Sequence, residues 1–337
     1  MKKITLLLFI CFLLTNMKDI AALFMEKDGY TIIEYTTAAA ENNTEQTAAK
    51  EGYDEKTTIT LMHNGEVVSM NLHDYLYGVI CAEIPASFPI EAIKAQAVAA
   101  RTYTLNKLYR YEQGYEIDKS HNGAQLCSDH NHCKAYTDKT ADEMWGEDGE
   151  VYRDKIENAI CDTDGEYITY NDEPIVAVFH AASGDMTENA SDVWGGDYPY
   201  LVSTQSWGGE DSPKFHDEVR VPSTELIKKI TAATDKKFEL KDGYWIGDIE
   251  RSEAGGVNTI VIGGETFKGT EIRSIFGLNS TNFTITYDDG DFVFTTEGYG
   301  HRVGMSQYGA KAMALDGKKY REILTHYYTD TQIAKMQ

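Results

Sequence analysis

The spacing of apolar positions changes several times along the chain, and each change predicts a different element. Residues 59–72 (ITLMHNGEVVSMNL) form two short alternating runs around Asn64 and Gly65, the pattern of a β-hairpin with a tight turn. From residue 87 to residue 112, apolar residues recur every three or four positions, and Pro89 stands near the start. This spacing predicts one long helix. The alanine-rich middle of that helix predicts close packing and no chemistry.

Residues 223–294 combine a helical pattern, several short strand patterns and a second short helix. Asp289 and Gly290 separate the last two strands as a turn. We interpret this stretch as an inserted α+β lobe. The chain as a whole is therefore predicted to have an α+β fold, a mixed main body with the long helix plus the smaller lobe. A cleft is expected between them, since ligand sites tend to form between such units.

The N-terminal residues 1–24 have the pattern of an export signal or membrane anchor. Lys2 and Lys3 precede the mostly apolar residues 4–14, which are fewer than the roughly 20 that span a bilayer as a helix. The apolar segment resumes after Asp19 without a clean small-residue cleavage site, so a cleaved signal and a retained anchor both fit. Residues 25–57 are predicted to be a polar linker, and residues 58–337 the folded domain.

Composition narrows the possible partners. The 337 residues are 42% hydrophobic, enough for a sizeable core, and 54 acidic against 31 basic side chains give a formal charge of -23. Such a charge argues against nucleic-acid binding, because few cations are available to neutralise phosphates. A neutral polymer fits this surface better than a polyanion does.

Glu83 is the candidate general acid. It directly follows the apolar run LYGVICA and precedes the proline-marked start of the long helix. A carboxylate at the end of an apolar segment is partly desolvated, and desolvation raises a carboxyl pKa toward the value that a general acid needs. The alternative is a surface carboxylate that pairs with Lys94 or Arg101. Glu91, on the first helical turn, is explained by the helix dipole.

A dense group of metal-ligand side chains lies in SHNGAQLCSDHNHCKAY, residues 120–136. Its members are His121, Cys127, His130, His132 and Cys133. Two thiolates and two imidazoles can form a closed, structural zinc site, although the spacing matches no common finger. A Cys127–Cys133 disulfide and merely solvated histidines are the alternatives. Cys81 and Cys161 are predicted to be buried core thiols.

Residues 183–207 place hydroxyl side chains ahead of aromatic ones at loop-like spacing. Ser183 and Thr187 come first, and Trp194 and Tyr200 follow. Such loops can stack sugar rings on aromatic faces while hydroxyls fix their orientation. The alternative is that Trp194 and Tyr200 fill small cores beneath the loop. Ser183 lacks the G-x-S-x-G surroundings of a hydrolase nucleophile.

Three blocks carry a family resemblance: AEIPASFPIEAIKAQAVAARTYTL (82–105), HAASGDMTENASDVWGGDYPYLVS (180–203) and GYGHRVGMSQYGAKAMALDGKKYREILTHYY (298–328). They resemble the stage II sporulation protein D family, whose members cleave peptidoglycan glycan strands as lytic transglycosylases during spore engulfment. The resemblance implies a membrane-anchored, extracytoplasmic enzyme in the space between mother cell and forespore. It also implies peptide-stripped glycan strands as substrate, and a wall amidase and other engulfment proteins as partners. The membrane is expected to be contacted only through the N-terminal segment.

The resemblance assigns roles to particular residues. Glu83 is implied to be the catalytic acid and base, while the muramic acid C6 hydroxyl replaces water as the nucleophile. Zinc is implied at His121, Cys127, His132 and Cys133, with His130 left out, and its role is structural. The predicted substrate-binding residues are Ser183, Thr187, Tyr200, His301, Ser306 and Gln307.

Two points limit the analogy. Gly298, Gly300 and Gly304 bracket His301 and permit a tight turn, but Arg302 stands where the family usually has glycine. If that position needs a positive φ, Arg302 is strained. The same domain type also occurs in amidase enhancers, so a non-catalytic wall-binding module is the alternative function. A zinc-dependent wall amidase is a third possibility, and four protein ligands around the metal would count against it.

Overall fold

The computed structural model describes residues 20–27, 30–37, 52–130, 132–234 and 245–336, and it divides into the units Met1–Lys50 and Glu51–Gln337. The first unit contains an antiparallel hairpin of β1 (Ile20–Lys27) and β2 (Tyr30–Thr37), where the sequence predicted no strand. Residues 1–19 of the predicted export segment and residues 28–29 and 38–51 of the predicted linker lie outside the described residues. In the described part of the chain, no helix is both long enough and apolar enough to span a bilayer.

The second unit begins before residue 58, where the sequence placed the domain boundary. Its first helix is α1 (Tyr53–Lys56), and the carboxylate of Asp54 is buried in contact with Arg101, with 2.9 Å between Arg101 Nε and Asp54 Oδ1. Arg101 also donates to the carbonyl of Glu166 at 3.1 Å. A segment that looked like solvated linker therefore belongs to the folded body, because its aspartate pairs with a buried arginine.

A three-stranded sheet follows α1. It consists of β3 (Thr58–His63), β4 (Glu66–Asn71) and β5 (Leu126–Cys127), with β4 antiparallel and β5 parallel to β3. Asn64 and Gly65 have φ values of 49° and 86°, as a tight hairpin turn requires. The predicted hairpin is confirmed. Through β5, the sheet reaches the loop that carries the histidine and cysteine group.

Helices form most of the main body. They are α2 (Leu72–Glu83), α3 (Ile90–Glu112), α4 (Ala141–Trp145), α5 (Gly149–Asp162), α6 (Ala190–Val193), α9 (Gln307–Leu315) and α10 (Tyr320–Tyr327). The predicted long helix is confirmed, but it starts at Ile90 because Pro89 is an extended N-cap residue with ψ of 146°. Its small, buried residues allow close contact with α2, α5, α9 and α10.

Short strands complete the body. They are β6 (Glu166–Tyr170), β7 (Glu173–Pro174), β8 (Phe179–His180), β15 (Met305–Ser306) and β16 (Gln332–Lys335). β6 lies between β16 and β7, whereas β8 and β15 pair in parallel. That parallel pair sets His180 opposite Ser306, so it joins two of the sequence blocks that carry candidate residues.

The lobe has its own core. Its elements are β9 (His216–Pro222), α7 (Ser223–Ala233), β10 (Ile246–Arg251), β11 (Val257–Ile262), β12 (Glu265–Lys268), α8 (Gly269–Phe276), β13 (Phe283–Asp288) and β14 (Asp291–Glu297). Because β9 pairs with β14 along its whole length, the lobe spans residues 216–297 and extends beyond the predicted 223–294. The predicted α+β fold is confirmed.

Candidate functional site

Glu83 is the last residue of α2, which ends there because Ile84 is extended and Pro85 follows. The side chain is half-buried, and its Oε1 accepts a hydrogen bond from the backbone N–H of Ala135 at 2.9 Å. The Glu83 carbonyl accepts a second hydrogen bond, from Gln307 Nε2 at 3.0 Å. The candidate acid is therefore held at both its side chain and its main chain.

The surface-pairing alternative for Glu83 does not match the structure. Lys94 Nζ lies 2.8 Å from Asp162 Oδ2, and Arg101 is committed to Asp54. Both cations of that alternative are thus occupied elsewhere. Glu91 accepts a hydrogen bond from the N–H of Tyr320 at 2.9 Å and so connects α3 to α10.

Lys134 is a neighbour of Glu83 that the sequence analysis missed. Only 7% of the residue is exposed, and its Nζ lies 3.7 Å from the ring centre of Phe179 and 4.2 Å from that of Tyr103. Burial lowers the pKa of Lys134 to about 8, and the negative charge of Glu83 opposes that shift. A single lysine in a loop gives no periodic signal of burial, so the burial of Lys134 could not be read from the sequence.

The predicted metal ligands converge. One ligand atom from each of His121, Cys127 and His132 lies within 4.8 Å of the others. Cys133 joins them, because its Sγ lies 3.8 Å from His121 Nε2 and accepts from the N–H of Cys127 at 3.3 Å. His130 points away, with 75% of its side chain exposed. The structure therefore groups the four residues of the predicted set and separates the fifth.

The donor set fits zinc. Two sulfurs and two imidazoles are the ligands of closed structural sites, and the described cysteines form no disulfide. His121 Nδ1 is buried without a hydrogen-bond partner. Burial raises the pKa of the Cys127 thiol to about 11 and lowers that of His121. A neutral imidazole is the ligand form that a metal requires, and a thiol with such a pKa ionises readily only beside a cation.

Residues 121–133, the metal-ligand loop, are closely followed by the residue that holds Glu83. Cys133, Lys134 and Ala135 are consecutive, and Ala135 supplies the N–H that holds the Glu83 carboxylate. The position of that amide depends on the two residues before it. Ordering the loop would therefore fix both the hydrogen bond and the nearby ammonium group of Lys134.

A buried polar group lies where β8 meets β15. His180 Nδ1 is 3.1 Å from the carbonyl of Val303, so this nitrogen carries the proton and Nε2 accepts from the Ser183 hydroxyl at 2.5 Å. The N–H of Ser183 donates to Ser306 Oγ at 3.4 Å. Burial lowers the pKa of His180 to about 3, so the ring is neutral.

Gln307 is the first residue of α9, and Ser306 is its N-cap residue. They contact Glu83 and Ser183, respectively. Ser306 caps the helix, since its Oγ accepts from the N–H of Gly309 at 3.1 Å. Gln307 is 5% exposed, and its Nε2 lies 3.0 Å from the Glu83 carbonyl and 3.3 Å from Gln96 Oε1. Gln307 thus links α9 to the end of the helix that carries Glu83.

His301 lies in a glycine-rich turn. Gly298, Gly300 and Gly304 all have positive φ, and a Cβ on Gly300 would lie 2.8 Å from His180 Cβ. His301 Nδ1 accepts from the N–H of Val303 at 3.1 Å, and burial lowers the pKa of His301 well below its usual value. Its ring centre is 5.0 Å from that of Trp194, which is 48% exposed. This places a neutral imidazole beside an accessible aromatic ring.

The hydroxyl groups of Thr187 and Tyr200 form hydrogen bonds with the main chain. Thr187 Oγ1 accepts from the N–H of Thr204 at 3.0 Å, and Tyr200 Oη accepts from the N–H of Val176 at 3.2 Å. The Tyr200 ring also packs 5.5 Å from that of Tyr170. These contacts support the loop between the two residues, and substrate contact by either one stays a prediction.

Arg302 has a φ of 64°, so it does occupy a conformation that favours glycine. Its buried guanidinium donates from Nη1 to Glu188 Oε1 at 3.0 Å and from Nη2 to the Ala254 carbonyl at 2.7 Å. Glu188 Oε1 also accepts from the N–H of Gly256 at 3.0 Å, and a Cβ on Gly256 would come within 2.2 Å of that oxygen. Hydrogen bonds between this ion pair and the backbone of Ala254 and Gly256 thus join the His301 turn to the lobe.

Comparison with known proteins gives a consistent result. The family profile described as "Stage II sporulation protein" matches residues 62–170. The stage II sporulation protein D of Bacillus subtilis is 36% identical over 274 residues, which cover 81% of this chain and 77% of that protein. The chain belongs to the stage II sporulation protein D family.

Two further relatives extend the comparison. The stage II sporulation protein D of Bacillus amyloliquefaciens is 35% identical, with 81% of this chain and 76% of that protein covered. A Bacillus subtilis protein named amidase enhancer is 28% identical over 77% of this chain but only 40% of its own length. The profile of the sporulation family covers Glu83, Lys134 and the whole metal-ligand loop.

In this member of the sporulation protein D family, a cavity of about 530 Å³ lies where the body meets the lobe. Its lining includes Asp185, Glu210, Glu253, Glu297 and Arg302. Among the described residues that line this cavity, Glu83 does not occur. The expectation that the functional cleft lies between body and lobe stays a prediction.

Proposed function

We propose that this family member is a lytic transglycosylase. It cleaves the bond between N-acetylmuramic acid and N-acetylglucosamine in peptidoglycan and leaves anhydro-muramyl ends during spore engulfment. The observation that carries the proposal is the position of Glu83, half-buried at a helix end and held by the N–H of Ala135 beside Lys134. The names of the two sporulation relatives support a role in sporulation.

One carboxyl group is enough for this reaction. Protonated Glu83 gives its proton to the glycosidic oxygen as the bond to the anomeric carbon breaks. The muramic acid C6 hydroxyl then bonds to that carbon and returns its proton to Glu83, so no water is consumed. When Glu83 has lost its proton, the Ala135 N–H and the Lys134 ammonium stabilise the carboxylate.

The remaining residues bind and orient the glycan in this proposal. The exposed Trp194 ring beside His301 offers a stacking surface for a sugar, and the neutral imidazole offers a polar edge. The hydrogen bonds from Ser183 to Ser306 and from Gln307 to the Glu83 carbonyl hold together the segments next to His301 and Glu83. The glycan would be peptide-stripped, which requires an amidase as partner. The enzyme would act outside the cytoplasm, anchored through its N-terminal segment.

Zinc would be held by His121, Cys127, His132 and Cys133. Four protein ligands leave no position for a reactive water, so its contribution is to order the loop. This argues against a zinc-dependent amidase.

His132→Ala is expected to weaken zinc binding by at least about 100-fold, because changing even a residue that only hydrogen-bonds to a metal ligand lowers metal affinity by about 10–100-fold. Competition with a chromophoric chelator measures this affinity. His130→Ala, an exposed neighbour in the same loop, is the control and should bind zinc normally; equal losses in both variants would contradict the ligand assignment.

The deciding experiment is mass spectrometry of purified glycan strands after treatment with the full chain. The wild type is expected to form anhydro-muramyl ends, and Glu83→Gln to form them about 10²–10⁴-fold more slowly, the usual contribution of a general acid. Glu91→Gln is the matched control, a carboxylate nearby in sequence whose role is to connect two helices, and its rate should stay within about twofold.

Other products would lead to other functions. Reducing ends in place of anhydro ends would mean a hydrolase and a second carboxylate. Bound but uncut strands, from protein with verified fold and metal content, would favour the wall-binding module that the 28%-identical amidase enhancer suggests.

A further inference from the structure

A second group of metal-ligand side chains lies between α2 and α5, away from the metal-ligand loop. His73 comes from the first turn of α2, while Glu157 and Cys161 are one turn apart on α5. His73 Nε2 is 3.0 Å from Glu157 Oε2 and 3.8 Å from Cys161 Sγ. One ligand atom from each residue lies within 4.8 Å of the other two.

These separations fit a common metal ion. Zinc binds sulfur at about 2.3 Å and nitrogen or carboxylate oxygen at about 2.0–2.2 Å, so tetrahedral ligands lie about 3.6 Å (sulfur to nitrogen) and about 3.4 Å (nitrogen to oxygen) apart. The observed 3.8 Å and 3.0 Å differ from these values by only a few tenths of an ångström. A small adjustment of side chains would therefore be enough to place all three around one ion.

A carboxylate also lies near the other nitrogen of His73, just beyond hydrogen-bond distance. His73 Nδ1 lies 3.6 Å from Asp74 Oδ1. Histidine ligands usually direct their second nitrogen toward a carboxylate, which orients the ring and strengthens the metal bond. Nitrogen, sulfur and carboxylate ligands together favour zinc or a similar thiophilic cation over calcium or magnesium.

Cys161 differs from the other described cysteines because it is exposed, whereas Cys81, Cys127 and Cys133 are buried. The sequence prediction of a buried thiol was wrong for Cys161: Ile160 faces the core at this turn of α5, and Cys161 lies outside it. A metal ion could therefore reach this sulfur from solvent.

We propose that His73, Glu157 and Cys161 form a second site for zinc or a similar transition metal. Its three protein ligands leave one position open for water or an external ligand. Bound metal would connect α5 to the start of α2, the helix whose last residue is Glu83. The site is separate from the loop site and does not depend on the proposed activity.

Alkylation of Cys161 tests the proposal at the site itself. Full-chain protein is treated with iodoacetamide with and without Zn²⁺, and peptide mapping by mass spectrometry measures each cysteine separately. A free thiolate is the reactive species, so a metal-bound Cys161 is expected to react at least about tenfold more slowly. Protection should be lost in His73→Ala and in Glu157→Gln.

Glu150→Gln is the matched control, because Glu150 is an exposed carboxylate on the same helix outside the group. Its Cys161 should be protected by zinc as in the wild type. If His73→Ala does not fold, Glu157→Gln decides, since it keeps the size of the side chain. Unchanged alkylation of wild-type Cys161 at saturating zinc would overturn the proposal, as would protection that persists in Glu157→Gln.

Discussion

The lobe interior is made of aliphatic and phenylalanine side chains, whereas the body interior also contains ions. Phe294 is fully buried in the lobe, stacked 5.0 Å from Phe276. The buried polar side chains among the described lobe residues are hydroxyls, namely Ser280, Thr281 and Thr296. In the described part of the body, charged side chains are buried as well: Asp54, Arg101, Lys134, Glu166, Glu188 and Arg302.

This difference in buried charge coincides with the location of the candidate functional residues. Burying a charge is unfavourable unless it is paired and hydrogen-bonded, so a fold that buries several needs many specific contacts. The candidate residues Glu83, His180, Ser306 and Gln307 all lie in the body, the region that buries these charges. The lobe core is apolar, and the backbone of residues 254–256 connects the lobe to the buried Arg302–Glu188 pair of the body.

The largest expected effect comes from breaking a buried ion pair of the body. Arg302→Met keeps the backbone strain but leaves Glu188 buried without its cation, so we expect a loss of about 3–5 kcal/mol in the free energy of unfolding. Urea denaturation measures it. Arg220→Met is the lobe counterpart: its ion pairs with Glu218 and Asp288 are exposed to solvent, so their loss should change the free energy of unfolding far less. Equal losses in the two variants would remove the distinction between the regions.

A pH-dependent effect is expected next, from the buried neutral ring of His180. Its folded pKa is about 3 and its ordinary value 6.5, so between these values the unfolded chain binds a proton that the folded chain does not. Stability must then fall as pH falls below 6.5, by roughly 1.5–2 kcal/mol between pH 6.5 and about pH 5.

The variant His180→Asn isolates this contribution, because the amide can still donate to the Val303 carbonyl but has no proton to gain. Urea denaturation at a series of pH values should give a shallower slope for the variant. Parallel curves for the variant and the wild type would show that folding does not lower the pKa of His180.

The smallest effect is expected in the lobe. Phe294→Leu removes part of an aromatic stack but leaves no polar group unpaired, so the expected loss is about 1–1.5 kcal/mol. Urea denaturation at low and high salt measures it, and the loss should not depend on salt. Tyr287→Leu, at a ring that is 60% exposed, is the control and should change stability by less than about 0.5 kcal/mol. A larger or salt-dependent loss in Phe294→Leu would mean that the lobe core is also supported by charges.

The features predicted correctly from the sequence are local ones. The hairpin at Asn64 and Gly65, the long helix after Pro89 and the spatial grouping of the four side chains predicted to bind zinc each lie within a short stretch, where periodicity or spacing is visible. The features that were missed join distant residues. Asp54 pairs with Arg101, Arg302 pairs with Glu188, and β9 joins the lobe through β14. Such contacts leave no recognisable pattern in the sequence around either partner, because each partner alone resembles an ordinary surface residue.

The guanidinium of Arg302 has a consequence for motion. It contacts Glu188 of the body and the Ala254 carbonyl of the lobe, and the next residue toward the N-terminus is His301. A rotation of the lobe relative to the body would have to break these buried hydrogen bonds or displace the His301 turn. Arg302 is therefore a mechanical link between the lobe and the residue beside it, His301, for as long as these hydrogen bonds persist.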